Sequence, residues 1–524
     1  MPNAPFAQVR DVLVALILIL FTFCMTLALR MDMFFQRSGA QGVEATYHLL
    51  WTGIALNASD PAAHLYLPTV TLAPTPGNPI SWGATVPTPG GAYVYTSFPP
   101  LGFLLPATTL SAIGSNGSFI KLTLLNSLVG LVAALLMGGL ARATVLSIGQ
   151  FREKSERDGW AVFALNAIVY LFLRESLVSH GAVVWPHSLS QLCLITGCWL
   201  ALRIFTQRAS YGTIAGIAFI AVLYPSLEWS GFIFNAGLFA ALVYHGLSSS
   251  RERSLSIVAA AVAAIATIVA GIGMLLHFAA AVGVDSLLSA LVNRASARAF
   301  DKFVPIELPF GYFVSFGALL PLSVFALKYL RSSPAIPTSR KKVFWLLLFV
   351  ASFAMVENLI QMQHATQFSF DRLKLAVPLL LINSMAWWMS SMPVGKPHLL
   401  LGLVTVVIWS NLQIFSHDIL YYQSWGRIQQ TNTRIANQLS RDPLTECSVV
   451  GTNLVVRGYM NLTLGRDMRE KTLPEQLLKV LRRDEACGVI FVRAVPTPYP
   501  DLPEFVAIEV YSREGTLLRR YDGT

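Results

Sequence analysis

Charged residues are scarce in this chain. Only 13% of its 524 residues are Asp, Glu, Lys or Arg, where a soluble domain carries roughly 25%. That scarcity excludes a soluble enzyme and a charge-rich disordered chain. The five cysteines are too few for a disulfide-built scaffold. No internal repeat and no low-complexity segment is evident. What fills the chain is apolar: hydrophobic residues make up 54%, and the mean hydropathy is +0.57. Together these values describe a polytopic α-helical membrane protein.

The net charge of +10 does not point to a nucleic-acid partner. Almost all of the excess lies in residues 1–416, where basic residues set membrane topology. A bilayer crossing needs about 20 mostly apolar residues, and about eleven runs qualify. They are Asp11–Leu29, Phe119–Leu140, Trp160–Leu173, Ser188–Ile204, Tyr211–Leu223, Trp229–Tyr244, Leu255–Val282, Gly311–Leu330, Val343–Ile360, Leu373–Met389 and Leu399–Phe415. The stretch Phe98–Ile113 is apolar but short and holds Pro99, Pro100 and Pro106. If it does not span, the N-terminus and the basic loops around Arg152, Arg203, Arg251 and Lys341 share one side. It therefore reads as a re-entrant or interfacial segment. The expected N-terminus is cytoplasmic, and the first apolar run is long enough to remain as an anchor. Residues 31–118 then form a large outer loop with juxtamembrane helices. The expected location is an integral membrane protein of a bacterial inner membrane, with its tail periplasmic or extracellular.

The chain divides into a transmembrane part, 1–416, and an outer-side α/β domain, 417–524. In the tail, Ser448–Val456, Gly488–Val492 and Phe505–Tyr511 have the β-branched content and alternation of strands. Leu473–Leu481 has helical spacing, with Pro474 suited to a first turn. Cys447 and Cys487 each precede a strand. If those strands are parallel neighbours the thiols can meet, and an oxidising compartment favours a bridge; otherwise they are two unpaired buried cysteines.

Candidate chemistry gathers in the outer loops. In Glu44-Ala-Thr-Tyr47-His48-Leu-Leu-Trp51, Glu44 and His48 share one helical face. A carboxylate and an imidazole there can serve acid–base chemistry; a solvated interfacial helix explains the same spacing. Asp32 is a further carboxylate, and Tyr95 opens the Pro-Pro segment. His180 and His187 flank Trp185-Pro186, and a metal there would need more ligands than the local sequence supplies. Glu228 lies between two closely spaced spans, where ionisable residues are functional candidates. Arg294, Arg298 and Lys302 form one outer basic cluster, and Arg372 and Lys374 another, near His364. Such cations suit an anionic group such as a phosphate.

With these residues in view, the chain resembles the GT-C superfamily of polytopic glycosyltransferases, especially its protein O-mannosyltransferase and aminoarabinose-transferase-like branch. The resemblance covers most of the chain. That family's first loop carries an Asp-Glu pair followed by Tyr. Here Val43-Glu44-Ala-Thr-Tyr47 keeps Glu44 and Tyr47, with Val43 in place of the first acid. Pro99-Pro100-Leu101 matches a juxtamembrane helix. Trp185-Pro186-His187-Ser-Leu189 takes the place of an Asp-Pro-Leu-like sequence, and His364, Arg372 and Pro378 resemble a late His-rich segment.

The resemblance implies transfer of a sugar from a polyprenyl-phosphate donor to a hydroxyl on a glycan, lipid or protein acceptor, at the outer face and with inversion. It implies Glu44 as catalytic base with Asp32 in reserve. Arg294, Arg298, Arg372 and Lys374 would hold the donor phosphate. Tyr47, His48, Tyr95, His187, Glu228 and His364 would line the substrate pocket. No cofactor is called for, and the first loop lacks the Asp-x-Asp of a metal site. A transporter or lipid flippase, or a non-catalytic assembly factor, is the alternative.

Overall fold

A computed structural model describes residues 4–58, 61–72, 85–114, 117–149, 156–248, 253–297, 306–333, 337–390, 397–456, 458–481, 486–499 and 502–523. It is an integral membrane protein of mostly helical structure with a small sheet domain at its C-terminal end.

Each expected apolar run forms helix among the described residues. Six helices are long and apolar enough to cross a membrane by themselves, from Val9–Leu29 to Leu399–Leu439. The pair Glu307–Phe316 and Leu319–Ser332 is long and apolar enough only when taken together, and it is bent by 96° at its break. The remaining runs give helices of 14–17 residues. The break has a local cause. Gly317 stands at φ +50°, in the left-handed region, and a Cβ there would meet the Ser410 hydroxyl at 2.6 Å. Only glycine fits that backbone and that approach.

The first loop is built rather than loose. Glu44–Ala58 and Leu101–Ala112 are helices that pack on each other. Leu101–Ala112 begins after Pro100, whose fixed φ suits a first turn. Its 12 residues rise about 18 Å, short of a bilayer core of about 30 Å. The last apolar helix runs through the expected 416/417 boundary to Tyr421.

In the tail, the strands Val449–Thr452, Gly488–Val495, Glu504–Ser512 and Leu517–Asp522 pair in chain order. The first pair is parallel and the others antiparallel. Alternation sends Val489 and Phe491 to one face, against Leu477 and Leu481 of the helix Pro474–Leu481. Ile490 and Val492 face the other way, against Ile435 and Leu439 of the helix Trp425–Leu439. Because the first two strands are parallel neighbours, Cys447 and Cys487 meet and form a disulfide, with Cα atoms 5.4 Å apart.

Candidate active site

Four short connections converge beneath the first loop. Pro186 opens the helix His187–Phe205, which places His187 at its first position. Glu228 ends the helix Tyr211–Leu227 in extended backbone. Val356–Ile360 carries Glu357, and a 3-10 turn, Ser369–Leu375, carries Asp371, Arg372 and Lys374. All six side chains are buried.

Their contacts form one ionic cluster. The Lys374 ammonium donates to Glu228 Oε1 at 2.7 Å and to Glu357 Oε2 at 2.5 Å. His187 Nε2 is bonded to Asp371 and lies 3.7 Å from Glu228 Oε1. Asn358 donates to the Asp371 carbonyl and to the Tyr312 hydroxyl. Beside these, Arg372 approaches Glu175 at 3.8 Å, and Arg174 binds Glu175 at 2.6 Å and Asp418 at 2.8 Å. Isolated charges at such depth are costly, so each one here is matched. Burial acts to raise the Glu228 pKa, but the charges of His187 and Lys374 outweigh it and hold the carboxyl below its ordinary range. Four buried atoms here, His187 Nδ1, Glu228 Oε2, Arg372 Nε and Glu175 Oε2, have no hydrogen-bond partner among the described residues.

His187, Glu228 and Asp371 each offer one ligand atom, and these atoms lie within 4.8 Å of one another. The set could ligate a divalent cation. The ligands that the local sequence around His187 lacked come from distant segments. Lys374 places a positive charge on the same Glu228 oxygen and would compete with such an ion.

A cavity of 260 Å³ is lined in part by chain neighbours of the cluster residues Glu228 and Glu357. Thr96, Ser97, Trp229, Arg294, Ile360 and Gln361 line it. Trp229 follows Glu228 in the chain, and the Gln361 amide donates to the Glu357 carbonyl at 2.7 Å. Arg294 Nε is buried there without a hydrogen-bond partner among the described residues. Tyr95 lies in an aromatic wall with Phe98, Phe103 and Trp185, and Phe98 reaches the His187 ring at 6.2 Å.

Glu44 and His48 sit elsewhere. They pair at 2.8 Å on one face of their helix, as the i,i+4 spacing implies. His48 packs against Gly458 of the tail. Tyr47 lies between Phe119 and Tyr459, its hydroxyl 2.5 Å from the Gln429 amide. Phe370 separates the two groups: its ring meets His187 at 4.6 Å and packs against Gly42, two residues before Glu44. Asp32 is exposed and pairs loosely with Arg37 at 4.0 Å, apart from both groups. Arg298 and the His364 side chain lie outside the described residues.

The structure thus brings together His187, Glu228, Arg372 and Lys374, with Arg294 in the adjoining cavity. Sequence reasoning missed Glu357, Glu175 and Asp371 as site residues. Glu357 did carry a signal, being a carboxylate in the apolar run Val343–Ile360. His180, by contrast, is a packing residue. Its ring meets the Tyr170 hydroxyl at 2.8 Å, and burial pushes it down to about 3, so it stays neutral.

No protein-family model matches the chain, and no curated protein sequence matches it. Solved structures do. The oligosaccharyltransferase of Archaeoglobus fulgidus in the apo form is 12% identical, with 91% of this chain and 69% of that one covered, at a TM-score of 0.50. The same protein in complex with Zn and sulfate gives 12% identity, 91% and 68% coverage and a TM-score of 0.45. ArnT from Cupriavidus metallidurans bound to undecaprenyl phosphate is 13% identical, with 94% and 93% covered and a TM-score of 0.37. At such identities the likeness is one of fold: this chain shares the fold of the archaeal oligosaccharyltransferase.

Proposed function

We propose that this protein is a membrane glycosyltransferase that takes a sugar from a polyprenyl-phosphate donor to a hydroxyl acceptor on the outer face. One observation carries the reading: a fully buried cluster of matched ions next to a cavity lined by an arginine whose Nε has no hydrogen-bond partner among the described residues. A prenyl tail would lie among the spans, and the phosphate would meet Arg294 in the cavity.

His187 is the proton acceptor in this reading. Asp371 holds its Nε2, which leaves Nδ1 as the nitrogen that is buried without a hydrogen-bond partner among the described residues. A histidine fixed by a carboxylate is the usual construction of a general base. It takes the acceptor hydroxyl proton as that oxygen attacks the anomeric carbon. The bond from that carbon to the phosphate oxygen breaks, and the phosphate leaves against Arg294. A single displacement inverts the anomeric centre. Lys374 holds both Glu228 and Glu357 in place, and its charge helps keep Glu228 ionised.

Glu44 is a second reading for the base, favoured by its 2.8 Å pairing with His48 at the head of its helix. Purified protein incubated with a panel of polyprenyl-phosphate sugars separates the two. His187→Gln is expected to lower turnover at least about 100-fold, with Glu44→Gln much less affected. Full turnover by folded His187→Gln, with loss in Glu44→Gln, would move the base to Glu44. No turnover of any donor by the wild type would sink the transferase reading.

A further inference from the structure

A second concavity opens at the other end of the first loop. It encloses 490 Å³ between the turn that follows the first span and the helix Trp425–Leu439. In the sequence-derived topology both segments lie on the outer side. The helix buries Ile428, Ile435, Ala436 and Leu439. Its opposite face turns Gln430, Arg434, Asn437 and Gln438 into the groove, followed by Arg441.

The composition of that face is unusual for one that needs only hydration. Solvated helix faces are normally built from acid–base pairs three or four residues apart. Trp425–Leu439 contains no Asp or Glu at all. It offers amides, hydroxyls and guanidinium groups instead. Across the groove stand Phe35, half exposed, and Arg37, whose guanidinium lies 5.9 Å from the Phe35 ring. Gln36 between them is held at φ 58°, a strained region for a non-glycine residue. Asp32 touches the edge, 4.0 Å from Arg37, and Arg434 also donates to the Gly523 carbonyl at 3.0 Å.

We propose that this groove binds an acidic saccharide, the acceptor of the transfer, through its arginines, amides and Phe35. Amides give and take hydrogen bonds, which matches sugar hydroxyls. An exposed aromatic ring matches the apolar face of a pyranose. Arginine matches a carboxylate or phosphate on the glycan through paired N–H groups. The acceptor role rests on the transferase reading above; the binding does not.

The test uses the full-length protein in neutral-lipid nanodiscs, titrated by microscale thermophoresis. The probes are an oligogalacturonate, a phosphorylated oligomannoside and neutral maltohexaose. The acidic probes are expected to bind, and the neutral one at least about tenfold more weakly. The double variant Arg434→Ala/Arg441→Ala is expected to lose about tenfold or more of the acidic binding, and Phe35→Ala a smaller factor. All of these side chains are exposed, and elution as a single species checks the fold. Preference for one acidic probe names carboxylate or phosphate as the recognised group. Equal binding of maltohexaose, no binding of either acidic probe, or unchanged binding in the double variant would each overturn the proposal. Donor cleavage to free sugar, measured on the same preparation, keeps the two readings separate. Acidic binding without cleavage removes the transferase and leaves the groove; cleavage without acidic binding does the reverse.

Discussion

Two ionic networks in this molecule are built in opposite ways. In the tail, Asp442 and Glu509 are buried, but their partners Arg519, Arg493 and Arg520 remain 47–53% exposed. Under the first loop, cation and anion are buried together: Lys374 with Glu228 and Glu357, His187 with Asp371. The first arrangement ties neighbouring strands together, and the last strand to the turn after Trp425–Leu439, at little cost, because water still reaches the cations. The second carries a desolvation cost that its internal attraction only partly offsets, and hydrophobic side chains would serve stability better. A buried network of that kind points to a task beyond holding the fold.

The contrast can be broken most severely at Lys374. Lys374→Met strands two carboxylates, and loss of one partner in a buried pair costs about 3–5 kcal/mol. Donor turnover is expected to vanish, and the unfolding temperature in detergent to fall by the largest margin of any single change here. A wild-type unfolding temperature in Lys374→Met would mean that the cluster is wet and unimportant.

The next effect belongs to the tail. Cys447→Ser removes a cross-link between residues 40 apart in sequence, and such bridges contribute about 2–4 kcal/mol. Limited proteolysis should then cut the tail while the spans stay protected. Uniform resistance would show that the sheet needs no staple.

A smaller effect sharpens the boundary between the two regions. A Cβ at Gly458 would come within 2.5 Å of the His48 ring and 2.8 Å of its backbone nitrogen. Gly458→Ala is expected to cost about 1–3 kcal/mol and to raise hydrogen exchange in Glu44–Ala58. Unchanged exchange there would place the tail's anchorage elsewhere.

The smallest effect is at Arg519. Burial acts to raise the Asp442 pKa, but its bonds to the Leu444 amide, Arg519 and Tyr521 hold it below the ordinary carboxylate range. A depressed carboxyl stabilises the fold above its ordinary value, and that contribution is lost as pH falls through the depressed one. Arg519→Ala should therefore shift tail stability slightly at neutral pH and not at all in strong acid, and high salt should erase the difference. An effect that persists in acid would assign Arg519 a packing role.

How much of this was legible in the sequence depends on distance along the chain. Apolar runs and strand alternation are local, and each gave its element. So is the Glu44–His48 pair, set by one helical turn. The disulfide required only that two strands be parallel neighbours. The buried cluster needed contacts that no local pattern encodes: His187 and Asp371 stand 184 residues apart. Lys374 and Arg372 read as outer-loop cations suited to an anionic guest. Folding instead matches Lys374 with two carboxylates and leaves Arg294 as the arginine in the cavity, because a lysine buried at that depth needs counter-charges.

The Cys447–Cys487 bridge has a use in following how the protein is made. The bond needs an oxidising compartment to close. A chain whose tail has crossed the membrane will run on a gel as the oxidised form. One whose tail stays in a reducing compartment will keep both thiols and take up an alkylating label. Biogenesis is thus written into the mobility of a single band, readable without an activity assay.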